Sequence, residues 1–379
     1  MLIICNTCFQ KKKDFLLYYL SITIIITHGA INAFTHTNNF ITFAANKFSA
    51  KFYELAAENV SENIIVSPIS TLLTLTDAMK DNSQEVLEDF RNALNLTNID
   101  DVFDKYRVLK DKVSNLPYTD QNQLSNSLTR GGPSNTVNAI SFLDIFDNEH
   151  VTDSPRRNNN VRRDLSRQRM MFSNNIDIND RWQEKFSTYS TSRKAFYSEN
   201  TIYITDMMST ESYFSFGRVP NVRASCLKLR FQDGRYSMLI VLPDDRNHLR
   251  NVERKLAQLS LREITRDNRM THVELDLPKF SISYQTDPKN ILKMLGFNHV
   301  FSDNIQSNNN KTVNINVLSN SQMNINEGTV DDNDYYSFVP VTLSNGVRFN
   351  VNHPFHFKII KTINETEEMV MFVGHVTKV

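Results

Sequence analysis

Cysteine is scarce in this chain: three in 379 residues, at positions 5, 8 and 226. Cys5 and Cys8 form a CxxC pair, but they precede the apolar stretch read below as a leader, so a redox or metal role would be discarded with it. Cys226 is then alone, no internal disulfide can form, and the hydrophobic core must carry the stability. A solitary cysteine of this kind reads as a small buried hydrophobe. Glycine is also rare, nine in all, and none of it forms a phosphate-cradling loop; GxSxG and HExxH are missing too. Serines and histidines leave a dispersed triad open, yet no local pattern points to catalysis, and the chain reads as a non-enzyme with neither cofactor nor metal. An excess of charge of one sign is lacking as well. Lys+Arg and Asp+Glu both number 42, which excludes a whole-molecule field steering the protein to nucleic acid or to an anionic membrane.

Long apolar runs are nearly absent. The one near the N-terminus, residues 15–26 (FLLYYLSITIII), follows Lys11, Lys12 and Lys13 and precedes Gly29, Ala30 and Ala33. A basic edge, an apolar stretch and a small-residue exit fit a cleaved secretory signal over residues 1–33. The run is shorter than the roughly 20 residues a spanning helix needs, although the ten residues ahead of the lysines leave an uncleaved anchor as the alternative. The expectation is a secreted, extracellular protein. Sequons at Asn59, Asn95, Asn310 and Asn364 would then be open to glycans, with only some of them used.

What is present suffices for a sizeable core: 40% of residues are hydrophobic and 22% charged. Ile41, Ala45, Phe48, Phe52, Leu55 and Ala56 follow a helical period. Residues 63–66 read as a short strand. Ser67-Pro68 then opens a helix, serine as N-cap and proline at the first helical position; Leu72, Leu73, Leu75, Ala78 and Met79 bury it. A third helix is expected over residues 83–94. Residues 115–169 are poorly specified, with TRGGPSN at 129–135 and PRRNNNVRRDLSRQR at 155–169. Arg156, Arg157, Arg162, Arg163, Arg167 and Arg169 among asparagines read as a solvated, protease-sensitive loop, with polyanion binding as the sharper alternative. The second half is strand-rich. Residues 236–242 (YSMLIVL) form a buried strand, Val273, Leu275 and Leu277 alternate with acids, and 313–317 (VNINV) alternates again. A helix after Asp287-Pro288 carries Ile291, Leu292 and Leu295 and is closed by Gly296. Strands over 355–360 and 369–376 end the chain. Helices first and strands later predict an α+β class with a large mixed sheet.

Five sets of segments, in order, resemble the serpin family. NIIVSPISTLLTLTDAM (63–79) is similar to its first strand and second helix. NNIDINDRW (174–182) stands where the family has NAIYFKGxW, and Trp182 is the single tryptophan. MMSTESYFSFG (207–217) and LKLRFQDGRYSMLIVLPDD (227–245) match its Met-Met…Phe…Gly and SMLIVLP segments. VELDLPKFSISYQTDPKNILKMLGFNHVFSD (273–303) has its LPKF, helix and LG…FS pattern. FNVNHPFHFKII and MFVGHV, starting at Phe349 and Met371, are similar to FNADHPFLF and FxGxV.

The resemblance implies a serpin fold: three β-sheets with surrounding helices in one domain over 34–379, a monomer, with 115–169 as a divergent, partly disordered insertion. It further implies an exposed reactive loop over 328–347. In inhibitory members a serine protease cuts that loop and stays attached as an acyl-enzyme. The loop then enters the large sheet as a new central strand and the protease is distorted, driven by a metastable native state. The bond to be cut would lie among Pro340, Val341, Thr342 and Leu343, favouring elastase- or chymotrypsin-like partners; Arg348 is too near the signature strand to serve. By the same resemblance, Ser67 and Asn174 pack and hydrogen-bond beneath the sliding strands, His353 makes a structural turn, and Asp244 and Asp245 a solvated one.

Insertion needs alternate residues of the loop's first half to be buried. Asn326-Glu327-Gly328-Thr329 is close to the family's Glu-Gly-Thr hinge but one residue short, and Val330-Asp331-Asp332-Asn333-Asp334-Tyr335-Tyr336 follows. One phase buries Thr329, Asp331, Asn333 and Tyr335; the other buries Val330, Asp332, Asp334 and Tyr336. Either takes in an aspartate, and an unpaired buried polar group costs roughly 2–7 kcal/mol, a charge more. The family histidine that locks the strands beneath the loop matches Ser319, and the helix that crosses the large sheet falls in the shortened 115–169 stretch. Two functions stay in view: a secreted serine protease inhibitor, or a non-inhibitory serpin acting as carrier, decoy or extracellular interaction protein.

Overall fold

Helix α1 (40–57) turns the apolar period of Ile41, Ala45, Phe48, Phe52 and Ala56 inward, leaving Phe40 and Phe43 exposed. The computed structural model describes residues 40–78, 84–96, 101–114, 141–143, 170–175, 182–301, 317–328 and 346–379. The guanidinium of Arg250 donates to the carbonyls of Ala57 and Val60, at and just past the end of α1. Strand β1 (Ile64–Val66) and helix α2 (Pro68–Ala78) follow as expected. Helix α3 (Gln84–Ala93) lies within the predicted 83–94.

Two elements stand where the sequence gave no signal. Helix α4 (Asp101–Ser114) is anchored by buried Leu109 and Val113, and the Lys361 ammonium donates to its Lys112 and Val113 carbonyls, both at 2.8 Å. Strand β2 (Ser141–Leu143) lies inside the stretch read as loop. The rest of 115–169, its arginines included, lies outside the described residues. Strand β3 (Met170–Asn175) begins four residues ahead of the matched 174–182 segment.

The remaining strands are β4 (Ser192–Tyr197), β5 (Ile202–Arg218), β6 (Ala224–Arg230), β7 (Tyr236–Pro243), β8 (Arg269–Pro278), β9 (Phe280–Thr286), β10 (Val317–Ile325), β11 (Val347–Asn350), β12 (Phe355–Asn364) and β13 (Glu367–Val376). Helices α5 (Leu249–Leu256), α6 (Leu261–Ile264) and α7 (Lys289–Met294) lie between them. Gly296, at φ +104°, closes α7 in a conformation that glycine adopts without strain. Strand β7 is buried over nearly its whole length, which is why it reads as an apolar run rather than an alternation, and β12 and β13 are mostly buried although they carry His356, Lys358, Lys361 and His375.

Among the described residues the strands form two hydrogen-bonded sheets. One has the order β2-β3-β10-β9. The other runs β1-β13-β12-β7-β6-β5-β8-β11, with β4 also on β5. The three sheets implied by the resemblance become two because β5 is 17 residues long. Its first part pairs with β4, its middle with β8 and its end with β6, so hydrogen bonding runs unbroken from one group to the next. A single contiguous apolar cluster, from Ile41 to Val376, joins the helices to both sheets. No described helix is long and apolar enough to cross a membrane.

Candidate functional site

The site lies where β10 ends. β10 pairs parallel with β3 in the register Val317↔Met170 through Gln322↔Asn175, and antiparallel with β9 from Ser319↔Thr286 to Ile325↔Phe280. β10 and β3 are thus hydrogen-bonded directly to each other, and nothing stands between them. After β10 the chain passes through residues 329–345 and re-enters the nine-stranded sheet as β11, parallel to β8. The two ends of that segment are held by different sheets.

Along β10 the side chains alternate. Ser319, Ser321, Met323 and Ile325 are buried while Gln322 and Asn324 are exposed, and the alternation continues to buried Glu327. Ser319 puts a small hydroxyl where the family histidine is matched. It pairs with Phe172 on one side and Thr286 on the other.

The bend that follows is held from several directions. Trp182 stacks on Phe231 with ring centroids 4.5 Å apart, and its indole N–H donates to the Asn326 carbonyl at 2.8 Å. The Asn326 side chain accepts from the N–H of Gly328 at 2.8 Å, and Gly328 sits at φ +80°, a conformation costly for residues with a Cβ. The Glu327 carboxylate, 7% exposed, lies 2.7 Å from the Lys279 ammonium and accepts the Thr191 hydroxyl at 2.7 Å. Burial alone would raise the Glu327 pKa. The ammonium and the hydroxyl outweigh it and hold the group below its ordinary value. Chemically this is a fixed turning point with an ionised carboxylate under it, not a nucleophile beside a base.

Of the expected hinge residues, Glu327 and Gly328 are in this bend. Thr329, Val330, Asp331 and Asp332 lie outside the described residues, as do Pro340, Val341, Thr342 and Leu343, the Arg156–169 stretch, Asn310 and the leader over 1–33. Thr191 and Lys279 escaped sequence reasoning as site residues. Lys279 had a signal, being the lysine of the matched LPKF segment, whereas Thr191 had none. Asn59, Asn95 and Asn364 are all exposed. Asn364 is engaged in the β12–β13 turn, where it accepts from the Thr366 N–H at 3.0 Å.

The other singled-out residues are structural. The Ser67 hydroxyl donates to the Met371 carbonyl at 2.9 Å. Asn174 pairs with Ser321 across the β3–β10 seam. His353 lies 2.9 Å from the Pro243 carbonyl through Nε2, and burial lowers its pKa. Asp244 and Asp245 are both exposed after β7, as expected of a solvated turn, and Asp244 also forms a two-pronged pair with Arg218, both contacts at 2.5 Å. Arg348 lies within β11, beside Glu274 at 3.1 Å. Cys226 is fully buried; its thiol lies 3.1 Å from the Asn268 side-chain oxygen, and burial raises its pKa to about 12.

Comparison with known proteins adds the following. The family model described as serpin (serine protease inhibitor) matches residues 158–379, more than half of the chain. Intracellular coagulation inhibitor 1 of Tachypleus tridentatus is 27% identical over 220 residues, covering 55% of this chain and 52% of that protein, about half its length. Serpin B5 of Rattus norvegicus is 25% identical over 359 residues, covering 85% of this chain and 95% of that one. Human thyroxine-binding globulin complexed with thyroxine superposes with a TM-score of 0.67 at 16% identity, covering 90% of this chain and 99% of that structure.

Proposed function

This chain belongs to the serpin family, and from that premise we propose that it works outside the cell as a non-inhibitory member. Residues 329–345 are offered to serine proteases and cut, and at neutral pH the cut segment stays out of the four-stranded sheet. The observation that carries this reading is the set of aspartates at 331, 332 and 334, together with a β3–β10 seam closed by six paired positions. A strand entering there must first part those pairs. Its own burial must then outweigh the cost of taking in Asp331, or Asp332 and Asp334, where small uncharged residues would enter freely. Extracellular action rests on the leader pattern at residues 1–33, and the exposure of Asn59, Asn95 and Asn364 suits glycan attachment. A structure of the same fold that holds thyroxine supports a carrier role.

The second reading is a protease trap. It is favoured by the braced bend after β10, which Glu327, Lys279 and Trp182 hold, and by a relative named a coagulation inhibitor. Val341, Thr342 and Leu343 would then direct it to elastase- or chymotrypsin-like targets, and Arg156–169 would be the place for a polyanion to act. The test is to incubate the protein with chymotrypsin and with elastase at pH 7.5 and run denaturing gels. Clipping within 329–345 without a new high-mass band is the expected result. A covalent, SDS-stable complex with either protease would overturn the proposal and establish the trap.

A further inference from the structure

Outside the hinge, one buried carboxylate stands among three groups that carry or accept a proton. Glu253 on α5 directs Oε1 at Nδ1 of His356 on β12 (3.2 Å) and Nδ1 of His375 on β13 (3.0 Å), and it accepts the Tyr53 hydroxyl from α1. The two histidines are register partners across the hairpin, 1% and 0% exposed. His375 places its other nitrogen 2.8 Å from the Glu62 carbonyl. Among the described residues, Nε2 of His356 and Oε2 of Glu253 are buried without a hydrogen-bond partner. Two further cations face the group. Lys358 is buried two residues along β12, and Arg250 on α5 holds Nη1 4.0 Å from Glu253 Oε2 while gripping the end of α1. The matched serpin segment FNADHPFLF has leucine where this chain has His356, so a titratable ring fills a place suited to an apolar one.

We propose that Tyr53, Glu253, His356 and His375 form an acid-sensitive latch that fastens α1 and α5 to the β12–β13 hairpin and releases them when His356 takes a second proton. In its neutral form His356 donates from Nδ1 to the carboxylate and adds no charge. Once protonated, it puts another cation beside Lys358 and Arg250 with one carboxylate to answer them all, among side chains buried from water. Burial lowers the His356 pKa from 6.5 to about 4, against the opposing pull of Glu253. Burial would raise the Glu253 pKa, but the two histidines outweigh it and hold the carboxyl below its usual range. The unfolded chain therefore binds the extra proton between pH 6.5 and about 4 while the folded one does not, and stability falls as pH drops through that window.

The experiment is urea unfolding of the full chain at pH 7.5 and pH 4, for the parent and for His356→Leu. The parent's unfolding constant should rise on the order of 100-fold more than the variant's. Should the variant fail to fold, histidine Cε1–H NMR of the parent decides. One imidazole must stay in its neutral form until below pH 5, and amides of α1 and of β12–β13 must then exchange faster. Equal acid losses in both proteins, or no imidazole titrating below pH 5, overturn the latch.

Discussion

The carboxylate of Glu327 is held by one ammonium and one hydroxyl, and each can be removed alone. Lys279→Ala leaves a nearly buried charge with only Thr191 for support, which should cost about 1–3 kcal/mol; Thr191→Val, losing a single hydrogen bond, should cost about 1 kcal/mol. Thermal midpoints at pH 7 measure both. The pH dependence has a definite sign. A carboxylate whose folded pKa is depressed contributes its stability above the unfolded value and loses it as pH falls through the folded one. The gap between parent and Lys279→Ala should therefore narrow toward pH 3, and a gap that stays constant would show that the pair is not its cause. None of this could be read from the hinge sequence. Glu327 and Thr191 are 136 residues apart, and a threonine followed by a strand carries no mark of a distant carboxylate.

At the scale of elements, the legible ones are those whose burial is uniform. β7 and the middle of β13 announce themselves by apolar runs, and α1 by its period, because one environment acts along each face. Helix α4 is different. Leu109 and Val113 give it a thin apolar stripe, and part of its support comes from outside, through the Lys361 ammonium on its last carbonyls. That contact bridges some 250 positions and leaves no local trace. It also makes a prediction: Lys361→Met, similar in length but unable to donate, should loosen the end of α4. Amides of residues 108–114 should exchange roughly tenfold faster, about 1.4 kcal/mol of local opening, while those of β7 stay unchanged. Equal acceleration in β7 would mean general destabilisation instead. The continuity of β5 through two groups of strands escaped sequence reading for a similar reason, since alternation reports burial and not which neighbour a strand pairs with.

At the scale of the molecule, the question is whether cutting the chain between β10 and β11 lets it reach a more stable state. The three aspartates at 331, 332 and 334 argue that it does not at neutral pH, so cleavage there should leave the thermal midpoint within a few degrees of the intact protein. Replacing all three by serine removes the charges that oppose entry. The cleaved variant should then melt well above its intact form, by 10 °C or more on the scale of about 4 °C or less per kcal/mol for a chain this size. Melting curves of the intact and cut forms of both proteins decide the matter; a large gain in the parent would refute the role given to the acids.

Cys226 supplies a way to watch such changes without adding a probe. Its sulfur is sealed beneath α6 with a pKa near 12, so a thiol reagent at neutral pH can react only during moments when that part of the molecule comes apart. In a chain with Cys5 and Cys8 replaced by serine, the labelling rate would count those moments one by one. A protein that relaxes into a tighter arrangement after cleavage would fall silent to the reagent, and one that does not would keep its former pace.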